Sequence, residues 1–206
     1  MLQLAHQGAH NINFVTPTHY APSIIEAVTY ARARGLSIPI VYNTSSYDAV
    51  ETLRALRETV DIYLADFKYY RSESARLLSF AEDYCSVAIE AISEMVKQRP
   101  EPIIENGIMS GGVIVRILLL PGHLAEAKLA LRHIYATFGD KVYISLMSQY
   151  TPMPGMAPPL NRRVTRAEYG ELVNYAVRLG VTKAFTQSFE SAADSFIPPF
   201  DYTGVL

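Results

Sequence analysis

The chain has 206 residues, half of them hydrophobic and 18% charged, with a formal net charge of −2. This composition supports a buried core and argues against disorder, and interspersed charges without a basic run give nucleic-acid binding no electrostatic support. No apolar stretch approaches the ~20 residues that span a bilayer, the start lacks the basic n-region of a signal peptide, and the single cysteine, Cys85, excludes an intrachain disulfide and makes the cytoplasm the default location.

In chain order, Leu2 to Gly8 reads as the last turns of a helix stopped by glycine. No strand precedes it, so the strand of a first βα unit is expected to be missing. Ile12 to Val15 then reads as a strand ending on Thr16-Pro17-Thr18-His19, followed by a helix opening at Ala21-Pro22-Ser23 and running to about Arg34. Ile38 to Tyr42 is the next strand, ending on Asn43-Thr44-Ser45-Ser46, with Tyr47-Asp48 capping a short helix. Val60 to Ala65 follows, ending on Asp66-Phe67-Lys68. One long helix is expected from about Ser74 to Gln98, on the stripe Leu77, Ala81, Tyr84, Ala88, Ala91 and Met95.

Glu101 to Gly112 reads as a loop. Gly111-Gly112 precedes a strand, whereas phosphate-cradling glycine loops follow one, so no nucleotide loop is assigned there. Val113 to Leu120 is the next strand, with Arg116 inside it and Pro121-Gly122-His123 after it. A helix from His123 to about Phe138, a strand Val142 to Met147 ending on Ser148-Gln149, a Pro- and Met-rich loop from Tyr150 to Arg163, a helix from Val164-Thr165 to near Gly180 and a strand Thr182 to Phe185 complete the pattern. The tail after Ser188 reads as irregular. Alternating strand and helix predicts an α/β fold, a parallel sheet covered by helices, as one domain over 1–206. Ligands in such sheets bind beyond the carboxyl ends of the strands, where each polar cluster falls.

The chemistry-bearing residues therefore lie at the strand tips. Lys68 suits an anion such as a carboxylate, or closes the barrel mouth as a pair with Asp66. Arg116 interrupts an otherwise apolar strand and needs a partner, either a ligand anion or a carboxylate on a neighbouring strand such as Asp66. Asn43, Thr44 and Ser45 offer groups that read a ribose or an amino-acid backbone, or form an ordinary turn before the next helix. Thr16 and Thr18, around Pro17, hold a polar ligand group or cap a helix. His19 and His123 follow strands as acid–base candidates or caps, and Cys85 reads as a small hydrophobe. Neither a metal-binding cysteine cluster nor a Ser-His-Asp pattern is present. Fourteen tyrosines and no tryptophan carry no mechanistic signal.

Gly8 to His19, Pro39 to Ser45, Val60 to Tyr69, Arg116 to His123 and Ser145 to Tyr150, in this order, resemble the radical S-adenosylmethionine proteins, specifically the branch homologous to pyruvate formate-lyase activating enzyme. The resemblance runs over essentially the whole chain. It implies a partial (β/α)6-type barrel with S-adenosylmethionine and a [4Fe-4S] cluster at the strand carboxyl ends, and a 5′-deoxyadenosyl radical that takes hydrogen from a substrate, often a glycine of a partner enzyme. It places Thr16-Pro17-Thr18 against the methionyl amino group and Asn43-Thr44-Ser45 against the ribose. Lys68 and Arg116 fall near the methionyl carboxylate and substrate, with Asp66 beside them, and Gln149 on the adenine side.

The chain departs from this pattern at the cluster. The family's CxxxCxxC loop, with three thiolates for three irons, is absent, so the chain is expected to be inactive alone, needing an N-terminal segment and an electron donor. A fragment, a misplaced start or a degenerate remnant would each account for this. Two other readings stand beside it: a non-radical α/β barrel lyase or aldolase using Lys68, and a non-catalytic protein that grips a partner with the Tyr150–Arg163 loop.

Overall fold

The computed structural model describes residues 1–187. Six parallel strands form one open sheet: β1 (Ile12–Val15), β2 (Ile40–Thr44), β3 (Ile62–Asp66), β5 (Ile108–Leu118), β6 (Tyr143–Met147) and β7 (Ala184–Thr186), in that spatial order. A seventh, β4 (Ile103–Glu105), pairs antiparallel with β5. Around the sheet run α1 (Leu2–His6), α2 (Ala21–Arg32), α3 (Val50–Ala55), α4 (Ser72–Ser79), α5 (Tyr84–Gln98), α6 (Leu124–Phe138) and α7 (Arg166–Leu179). The sheet does not close, since β1 and β7 each have one neighbour among the described strands. This is the architecture of a partial α/β barrel.

Strand alternation sorts the side chains onto two faces. Tyr42, Tyr63, Ala65, Phe67, Val115, Ile117 and Leu119 pack outward into the main core with Ala88, Ile92 and Met95 of α5 and Leu131 and Ile134 of α6. A smaller cluster of Ile12, Ile24, Val28 and Ile40 seals α2 onto β1 and β2. The inner face is left half-open and carries Asn13, Asn43, Leu64, Asp66, Ile114, Arg116, Ser145 and Met147.

Three expectations are corrected. The single helix over 74–98 is two helices. Phe80, with φ of 53°, ends α4 in a left-handed turn closed by the amides of Phe80 and Ala81 on the carbonyls of Arg76 and Ala75. Phe80 is left 94% exposed. The loop over 101–112 contains a hairpin, turned by Asn106 and Gly107 with φ of 51° and 79°. Asp48 is not a helix cap: Ala49 occupies that position before α3, and the Asp48 carboxylate turns inward. Gly111-Gly112 serves packing, because a Cβ on Gly112 would meet Pro102 Cα at 2.7 Å. The tail after Ser188 lies outside the described residues.

The buried tyrosines give the fold a pH limit. Burial, the largest cause, pushes the hydroxyls of Tyr42, Tyr63 and Tyr84 well above the ordinary tyrosine range. A raised folded value contributes stability that is full below the unfolded value of about 10 and lost as pH rises through and beyond it. Urea unfolding midpoints should therefore hold steady to about pH 9.5 and fall steeply above pH 10, and tyrosinate absorbance should show part of the ionisation only on unfolding. A full tyrosine titration in the folded chain, with unchanged stability, would contradict this.

Candidate functional site

Arg116 organises the inner face at the carboxyl ends of the strands. It stands opposite Asp66 in the β3–β5 register. Its Nε donates to Asp66 Oδ1 at 2.6 Å, and its Nη2 donates to Asn43 Oδ1 at 2.7 Å. One guanidinium thus ties β5 to β3 and β2. The side chains of Arg116 and Asp66 are 21% and 24% exposed, sheltered enough to strengthen the pair and open enough for a ligand. Nη1 makes no hydrogen bond to the described residues, and Nη2 makes only the one to Asn43.

Lys68, two residues past the end of β3, lines the same cleft of about 210 Å³ with Asp66, Arg116, Leu118 and Met147. Its ammonium has no hydrogen-bond or ion-pair partner among the described residues. The segment carrying it is held from below by Glu126 of α6, whose Oε1 accepts from the amides of Tyr70 and Arg71 at 2.7 and 2.8 Å. The cleft offers two cationic heads, one of them paired with the Asp66 carboxylate, beside apolar Leu118 and Met147. That combination suits a carboxylate-bearing ligand with an apolar or thioether-like body. A larger cleft of about 570 Å³ lies between α1 and α2, lined by Met1, Leu2, Ala27 and Tyr30, with Glu26 its one charged side chain. None of its lining residues is one of the strand-tip residues named above.

Thr16, with φ of 52°, follows β1, and its amide donates to the Asn43 carbonyl at 2.8 Å. Pro17 is buried behind it. Thr18 Oγ1 turns away from the cleft and donates to Asp48 Oδ1 at 2.6 Å. Thr44 is likewise on the outer face: it is a strand residue, its parity opposite to that of Asn43, and its hydroxyl donates to Asp48 Oδ2. Ser45 is half-buried, with its carbonyl engaged by the Tyr84 hydroxyl at 2.8 Å. Gln149 lies two residues beyond β6 and is half-buried. The structure therefore brings Asn43, Asp66, Lys68 and Arg116 together with the Thr16 turn beside them, and it separates Thr18 and Thr44 from that group.

A scan against protein-family models finds no match. An uncharacterized protein of Methanocaldococcus jannaschii is 29% identical over 170 residues, covering 81% of this chain and 46% of its own length. The chain spans about half the length of that relative. The crystal structure of a domain of pyruvate-formate lyase-activating enzyme from Bacteroides vulgatus superposes with a TM-score of 0.61, covering 86% of this chain and 98% of that one at 14% identity. At that identity the likeness is one of fold. Among the described residues, no helix is long and apolar enough to cross a membrane.

An iron–sulfur cluster does not fit the residues present. Among the described residues, no group of three His, Cys, Asp or Glu is arranged to hold a metal ion. The lone thiol, Cys85, sits on α5 in a surface groove with Tyr70, Ser86 and His133. Burial, and secondarily Glu126, push that thiol up rather than toward thiolate.

Sequence reasoning missed Asp48, Tyr42 and Tyr84, which shape the tips from the outer face. The Asn106-Gly107 pair was a readable hairpin signal. Nothing comparable marks the tyrosines.

Proposed function

We propose that this chain is the barrel portion of a radical S-adenosylmethionine-type protein, and that its strand tips bind S-adenosylmethionine through the methionyl carboxylate. The observation that carries the reading is the Asn43–Arg116–Asp66 array with Lys68 beside it, open on one side and lined by Leu118 and Met147. Support also comes from the fold likeness to a domain of an activating enzyme. In this reading Arg116 presents its unused N–H groups and Lys68 its ammonium to the carboxylate. Asn43 and the Thr16 turn face the ribose and amino end, and Ser45, Asp66 and Gln149 complete the rim. Thr18, Pro17 and Thr44 support the tips from behind. The cluster that supplies an electron to the sulfonium in such proteins finds no ligand set among the described residues of this chain. A protein substrate, as in activating enzymes, belongs to the same proposal.

Titration calorimetry of the full chain with S-adenosylmethionine and S-adenosylhomocysteine tests it, with 5′-methylthioadenosine, which lacks the carboxylate, as the control. Saturable binding of the first two, and binding at least about thirtyfold weaker for the third, is the expected result. Equal affinity for all three, or no binding by a folded chain at millimolar ligand, would sink the reading.

A further inference from the structure

Register pairing between β2 and β3 ends at Thr44 and Ala65. Past that pair, among the described residues, the hydroxyl of Tyr84 joins the two tips. It lies 2.8 Å from the Ser45 carbonyl and 3.0 Å from the Asp66 carbonyl, and it accepts from the Lys68 amide at 3.0 Å. Its single proton is shared between the two carbonyls while its lone pair serves the amide, so all three backbone groups lean on one oxygen.

The ring that carries this oxygen is fixed in place. Tyr84 is 3% exposed. It stacks on Tyr47 at 6.1 Å and 13° and meets Tyr69 edge-on at 5.5 Å. It is also the first residue of α5, and the break after α4 sets it at the strand ends. The exposed Phe80 turn therefore has a consequence at the cleft. A continuous helix over 74–98 would have no such break to start α5 at Tyr84, behind the tips.

We infer that Tyr84 is a positioning residue for the anion-binding cleft. Its hydroxyl sets the separation of the β2 and β3 tips, and hence the aim of Asn43, Asp66 and Lys68, without touching ligand. The inference rests on the proposed use of that cleft.

Tyr84→Phe keeps the ring and removes the oxygen, and Tyr63→Phe is its control. Tyr63 is also fully buried and donates to Gln98 at 2.6 Å, on the outer face and away from the tips. Two measurements are made on the full chain: calorimetric affinity for S-adenosylmethionine, and amide hydrogen exchange without ligand. Tyr84→Phe should bind roughly tenfold more weakly. It should also exchange the Lys68 amide at least roughly tenfold faster, with β5 and β6 amides unchanged. Tyr63→Phe should keep wild-type affinity even where its melting temperature falls as far. Unchanged exchange at Lys68, or an equal affinity loss in Tyr63→Phe, overturns the inference. A wild-type chain that binds nothing overturns the proposed function instead, while faster exchange at Lys68 still upholds the brace.

Discussion

Arg116→Leu should weaken S-adenosylmethionine binding by roughly 30- to 1000-fold, the equivalent of about 2–4 kcal/mol. Two effects add. The ligand carboxylate loses a charge-assisted, fork-shaped donor, and the Asp66 carboxylate, 2.6 Å from Nε in the native chain, is left without its cation and repels the incoming anion. Arg116→Lys keeps the charge but cannot reach Asp66 and Asn43 while also facing a ligand, so it should recover only part of the affinity. Lost binding must be separated from lost folding, because a stripped Asp66 destabilises the sheet as well. Asp66→Asn combined with Arg116→Leu removes that stranded charge. The double variant should melt near the wild-type temperature and still fail to bind. If it binds like wild type in calorimetry, Arg116 is a structural ion pair and the cleft is not the ligand site.

Much of this arrangement was legible because two simple signals agree along the chain. Apolar runs of strand length ending in polar clusters predicted six strands, and all six exist in one parallel sheet. An arginine inside an apolar strand called for a carboxylate, and Asp66 stands opposite it in register. What was not legible lies where one residue type serves two geometries. The apolar run Ile38 to Tyr42 predicts a strand that stops before Asn43, but pairing with β3 carries β2 to Thr44. With the strand ending two residues later, alternation sends Asn43 inward and Thr44 outward, so adjacent residues of similar chemistry part company. The helical stripe expected through Leu77 and Ala81 does not form: a left-handed Phe80 ends α4, Leu77 is 72% exposed and Ala81 lies between the two helices, and phenylalanine carries no signal for that conformation. The tyrosines carry no signal in the sequence. Their hydroxyls instead tie backbone groups at the strand ends: Tyr84 to Ser45 and Asp66, and Tyr169 to the Leu146 carbonyl and the Gln187 amide. Composition reports such residues, but only tertiary packing decides what a phenol reaches.

Asp48→Ala should be the most destabilising single change near the site, by about 3–5 kcal/mol in urea unfolding. Asp48 is 3% exposed. Its Oδ1 accepts from Thr18 Oγ1 at 2.6 Å and from the Tyr42 hydroxyl at 3.2 Å, and its Oδ2 accepts from Thr44. It thus joins the turn after β1 to the end of β2 from the outer face. Removing the carboxylate strands the Thr18 and Thr44 hydroxyls and leaves the Tyr42 hydroxyl only Thr18 Oγ1, 3.2 Å away, to donate to, and because the three share one acceptor the losses do not sum independently. Asp48→Asn separates charge from hydrogen bonding. Its carbonyl can still accept from Thr18 and Tyr42, and its amide can donate to Thr44, whose hydroxyl already accepts from the Ser46 amide at 3.0 Å. This variant should lose only about 1–2 kcal/mol. Tyr42→Phe, which removes one donor and leaves the acceptor satisfied, should cost about 1 kcal/mol. An order in which asparagine is as damaging as alanine would mean that the negative charge itself holds the tips, and a neutral hydrogen-bonded hub would no longer explain how the β1 turn is carried beside Asn43.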